Sequence, residues 1–202
     1  MTPILLNQLR GIITSPLISI FCKKFGENEI LLRKSIDASI CTVLIGLNNI
    51  IEDSILYNKV IESITSSEFY KTIEFDNKQL SSINYSFEQE GFTPLQLIFS
   101  AKKERVSEMI SNEIGVKSET AGAILNFAVM LILSHLKNEN QKTNKIQNDL
   151  NLEKKLILNT VPEGIRIILG YSNFECEESY YSHATLTKTN SKTRFLSKLF
   201  KL

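Results

Sequence analysis

Two segments of this chain, 89 residues apart, repeat one pattern: an apolar helix, a glycine, a polar cap, then a longer apolar run. In the first segment Ser15-Pro16 supplies a capping side chain and a proline at the first helical position. Leu17, Ile20, Phe21 and Phe25 follow at helical spacing, and Lys23 and Lys24 complement the negative end of the helix dipole. Gly26 then supplies a left-handed stop, and Asn28 caps a helix with Leu32, Ile36, Ile40, Val43, Leu44 and Leu47 on one broad apolar face. In the second segment Val106, Met109, Ile110 and Ile114 lead to Gly115. Ser118 caps a helix that carries Ala121, Leu125, Ala128, Val129, Ile132, Leu133 and Leu136. At the 89-residue offset Leu17 meets Val106, Ile20 meets Met109, Ile40 meets Val129 and Leu44 meets Leu133. Each unit is too apolar to stand alone, so the two are expected to pack together. The fold expected is all-α, an array of helices built from two repeated helix-Gly-helix hairpins, with a C-terminal tail. Only 8 Gly and 4 Pro in 202 residues agrees with this, because a sandwich or barrel needs many more turns.

The remaining segments fill in around the hairpins. Residues 50–66 read as an amphipathic helix through Ile51, Ile55, Leu56, Val60, Ile61 and Ile64. Residues 67–92 fit a short strand or a helix end, and Thr93-Pro94 opens a short apolar helix. The polar stretch Lys137 to Asp149 reads as a flexible linker. Asp149 is placed to cap a helix through Leu152, Leu156 and Ile157. Pro162-Glu163-Gly164 breaks that helix, and Gly170 stops a last short one. These signals divide the chain into a helical domain over residues 1–170 and a tail over 171–202 that is first acidic and aromatic, then basic and apolar.

The three cysteines, Cys22, Cys41 and Cys176, have no framework spacing. Reduced thiols in a cytoplasmic protein are expected. The N-terminal residues lack an early positive charge, and Gly11 and Pro16 interrupt their apolar stretch, so no secretory signal is read there. Ala121 to Leu136 is too short and too polar for a spanning helix and reads as a core helix.

The hairpins FCKKFGENEILLRKSIDASICTVLIGL and MISNEIGVKSETAGAILNFAVMLILSHL, together with the closing VPEGIRIILG, resemble the YidB-like bacterial proteins, grouped as domain of unknown function 937. That family's Pro-x-Leu-Leu-x-Gly-Leu phrase is present here as Cys41 to Leu47, with Cys41 in place of the proline. Its closing motif is present as Pro162, Gly164, Leu169 and Gly170. The resemblance covers about residues 15–170. It implies an all-α array and no particular activity.

Chemistry-bearing patterns are few. Residues 110–125 have the outline of a helix-turn-helix, but from Glu119 to Leu136 there is no Lys or Arg to meet phosphates or bases. With a formal charge of +1, nucleic acid is not an expected partner. His135 closes an apolar helix, where it reads as packed rather than as a general base. His183, Cys176, Glu177 and Glu178 lack metal-site spacing. No catalytic residue, metal site or cofactor is assigned, and the chain is not expected to be an enzyme. Gly46 and Gly122 read as points of close helix approach.

The segment with a mechanism attached is the C-terminus. Residues 188–202 hold five cations and five large apolar residues. As a helix, Phe195, Leu196, Leu199 and Phe200 share a face flanked by Lys192, Arg194 and Lys198. These seven are the candidate partner-binding residues. The expected function is a non-enzymatic interaction or adaptor protein that docks on a protein partner or on its own oligomer. A peripheral membrane protein using the same segment is the alternative, as is an enzyme or ligand-binding protein with an unrecognised site.

Overall fold

Gly26 and Gly115 both take up left-handed backbone, with φ of 62° and 88°, and each terminates a helix. The computed structural model describes residues 5–63, 90–138 and 143–174. These form α1 (Leu5–Ile12), α2 (Ser15–Phe25), α3 (Glu29–Ile50), α4 (Ser54–Glu62), α5 (Phe92–Phe99), α6 (Lys103–Ile114), α7 (Ser118–Asn138), α8 (Thr143–Thr160) and α9 (Glu163–Ile168), with a 3-10 turn at Ser100–Lys102 between α5 and α6. No strand occurs among the described residues, so the all-α reading stands. After these glycines α3 starts at Glu29 and α7 at Ser118, again 89 residues apart.

The long arms of the two hairpins, α3 and α7, pack on each other and supply most of the core, including Ile40, Leu44, Val129 and Leu133, all fully buried. α2 lies on α3, and its Phe21 ring meets Phe127 of α7 edge-on at 5.0 Å. α6 lies on α7 and α9 lies on α6. A stripe of small residues, Ser35, Ser39, Thr42 and Gly46, runs along α3. At Gly46 an added Cβ would come within 2.5 Å of Ile98 Cγ2 and 2.6 Å of Phe99 Cε1, so α5 closes on α3 only because glycine stands there. At Gly122 the nearest atom, Ser107 Oγ, lies at 3.5 Å, an ordinary contact. Close approach therefore explains Gly46 and not Gly122.

The hairpin turns interlock with each other. The Glu27 carboxylate accepts from Lys117 N at 2.8 Å and from Thr120 Oγ1 at 2.9 Å. In return Lys117 Nζ donates to Phe25 O at the end of α2. Each turn thus satisfies groups left open at a helix end of the other.

Several sequence expectations are corrected. Asn28 does cap α3 through Ile30 N. However, Ser118 is the first residue of α7, and Lys117 holds the cap position, its carbonyl accepting from Ala121 N. Thr14, not Ser15, is the cap residue of α2, with Pro16 one position further in. The expected linker over 137–149 is helical from Thr143, because Ile146 and Leu150 are buried and hold that turn to the body. Asp149 lies inside α8 and caps nothing. Asp53 divides the expected 50–66 helix by capping α4 through Ile55 N and Leu56 N. Most of the 67–92 stretch lies outside the described residues. α1 was not foreseen. Its Leu5, Leu6 and Leu9 are fully buried, and it packs against α3, α7 and α8.

Candidate functional site

Arg10 is the first charged residue of the chain and stands in an otherwise apolar opening segment, where an ionised group is retained only if paired. It extends from the last turn of α1 to Asp37 in α3 and makes a two-pronged ion pair, Nε to Oδ1 at 2.7 Å and Nη2 to Oδ2 at 2.8 Å. Nη2 also lies 3.4 Å from Thr160 Oγ1 at the end of α8. The hydrogen-bonded Asp37 carboxylate raises the Arg10 pKa, against the opposing effect of burial. Beside this pair a cleft of about 370 Å³ opens. Ile13, Ile36 and Ile40 give it apolar walls, and Arg10, Arg33, Lys34 and Asp37 line the remainder.

The cations of the cleft differ in freedom. Arg33 pairs with Glu29 one turn earlier at 2.8 Å, in an exposed i,i+4 contact worth little, and also donates to Ser15 Oγ. Lys34 is exposed and makes no ion pair among the described residues. Both Asp37 oxygens are taken by Arg10 and Arg33 is held by Glu29, so Lys34 is the cation the cleft offers without an ion pair among the described residues, beside an apolar surface.

Behind the cleft lies a second polar group. Glu153 on α8 is almost fully buried, and its Oε2 accepts from Leu6 N in the first turn of α1 at 2.9 Å. Its Oε1 has no hydrogen-bond partner among the described residues. Burial raises the Glu153 pKa; the Leu6 bond and Arg10 oppose this, and Asp149 reinforces it. Cys41 lies deep in the core with its thiol pushed up to about 12, chiefly by burial. It is therefore a small core residue and not a nucleophile. Cys22 is half-buried and also free.

The seven partner-binding candidates, Lys192, Arg194, Phe195, Leu196, Lys198, Leu199 and Phe200, lie outside the described residues, as do His183 and Cys176. His135 is buried, with Nε2 3.3 Å from Gln8 Oε1. No group of His, Cys, Asp and Glu among the described residues is arranged to hold a metal ion. One described helix, α7, is long and apolar enough to cross a membrane, and its apolar window is mostly buried within the body. Sequence reasoning missed the cleft. The available signal was the spacing of Arg33 and Lys34 from Asp37, four and three residues away on a helix that is largely apolar.

A family model described as a bacterial protein of unknown function (DUF937) matches residues 7–139, about two thirds of the chain, and the chain belongs to that family. The match takes in α1 and ends before the Pro162 to Gly170 phrase. No curated protein and no solved structure matches the chain.

Proposed function

We propose that this DUF937 protein is a non-enzymatic interaction protein, an adaptor whose helical body carries a docking segment at residues 188–202. The observation that supports the reading is the way the chain leaves the body. After α9, Gly170 turns with φ of 94°, and Tyr171 donates its hydroxyl to Asn49 Oδ1 at 2.7 Å. Lys154 lies 5.2 Å from the centre of the Tyr171 ring, and Arg166 lies 5.8 Å from that of Phe174. Tyr171 and Phe174, assigned by sequence to the tail, pack against the core. The point of departure is thereby fastened, and the basic amphipathic sequence begins fourteen residues beyond it. A large apolar face flanked by cations gains free energy when it is covered, and the cations favour an acidic surface. The partner is a protein or a second copy of this chain, met in the cytoplasm, where Cys22 and Cys41 stay reduced.

The test is co-purification from the native source with the full chain and with a chain ending at residue 187, alongside sedimentation with anionic lipid vesicles. The reading expects a defined set of proteins, or the chain itself, to be lost on truncation. Retention of the same set contradicts it. Loss of vesicle binding alone assigns the segment to a membrane surface instead.

A further inference from the structure

We infer that the cleft between α1 and α3 is the docking site for the acidic, aromatic stretch Glu175–Tyr181 of this same chain. The inference is independent of what residues 188–202 bind. Three observations converge on it. The first is charge. The cleft is lined by Arg10, Arg33 and Lys34; Asp37 pairs with Arg10 and Glu29 with the exposed Arg33, which leaves Lys34 without an ion pair among the described residues and a net positive charge on the cleft. The stretch brings Glu175, Glu177 and Glu178 within four positions, with no cation among them. The second is apolar complementarity. Ile13, Ile36 and Ile40 form an aliphatic surface, and Tyr180 and Tyr181 supply rings whose hydroxyls stay in water as their faces are covered.

The third is reach. Phe174, the last described residue, sits against Arg166, whose Nη1 donates to Leu158 O at 3.1 Å. Two residues further along α8, Thr160 lies 3.4 Å from Arg10 at the cleft. Seven extended residues span about 24 Å at ~3.4 Å each, enough to pass from Phe174 along the end of α8 to the cleft. Because the tether starts from an anchored residue, the stretch meets the cleft at high effective concentration, so modest contacts are enough to hold it.

Hydrogen exchange read by mass spectrometry on the full chain tests the inference. Amides of 175–181 should exchange about tenfold or more slowly than in an unstructured peptide of the same sequence. The pair Arg33→Glu with Lys34→Glu should abolish that protection, as should the triple change Glu175→Lys, Glu177→Lys and Glu178→Lys. Combining both sets should restore it. Exchange within α7 should be the same in every variant, which shows that the body stays folded. The inference is overturned by unprotected amides in the wild-type chain. It is equally overturned by protection that ignores both charge reversals, or by protection that rises with protein concentration, which would place the stretch in a second copy.

Discussion

Glu153 makes the stability of the fold depend on pH. Its carboxyl is buried, one oxygen caps the start of α1 through Leu6 N, and the other has no partner among the described residues. Burial raises its pKa above the ordinary glutamate value of 4.5, so the folded chain binds this proton more tightly than the unfolded chain does. The stability it contributes is present below the unfolded value and is lost as pH rises through the folded one. Glu153→Gln removes the charge and keeps an acceptor for Leu6. The stability of wild type minus variant, from urea unfolding at a series of pH values, should therefore fall as pH rises from about 4 towards neutral. A difference independent of pH contradicts this account of Glu153. Nothing in the sequence marked the residue, because Glu153 sits among Asn, Lys and Asp in a stretch that looks solvated. The packing of α8 against both α3 and α1 buries it.

At the scale of elements, the glycines were legible and the partners of the turns were not. Gly26, Gly115 and Gly170 all adopt positive φ at helix ends, as their positions in the apolar pattern required. The Glu27 contacts join residues about ninety positions apart, and a local capping rule looks only at neighbours, so it assigned to Ser118 the start of α7 that Glu27 meets from the other hairpin through Lys117 N and Thr120. Glu27→Ala should cost about 0.5–2 kcal/mol, the range of a lost helix cap, and Glu27→Gln should recover most of it in chemical denaturation. Gly46→Ala adds a methyl where Ile98 and Phe99 already touch the backbone, and overpacking of this kind costs about 1–3 kcal/mol. A neutral Gly46→Ala variant would mean that α5 is not seated on α3. The inner boundaries of the two hairpins coincide at the 89-residue offset while their outer ends differ by one residue, α2 and α6 having 11 and 12 residues and α3 and α7 having 22 and 21, and a common origin for them is not carried by that coincidence.

At the scale of the molecule, the periodicity of apolar residues carried the all-α class and the central pairing of α3 with α7. The helical spacing of Leu5, Leu6, Leu9 and Ile12 also marks α1, but the sequence reading weighs that segment only as a secretory signal; in the structure α1 is held in place by the burial of Leu5, Leu6 and Leu9. The candidate cleft was half legible, since Arg33, Lys34 and Asp37 stand out on α3 while Arg10 is brought to them only by the packing of α1. The C-terminal segment is legible as chemistry, through its cations and apolar residues, while the partner we propose for it would be a property of two molecules and is not written in one sequence. The account turns on a separation of roles between a body that folds and a segment that docks. The measurement that tests it most directly uses Phe195→Ser with Phe200→Ser in the full chain, following native co-purification and thermal melting together. The account predicts that the associated proteins are lost while the melt of the helical body is unchanged. An unchanged set of associated proteins would contradict it.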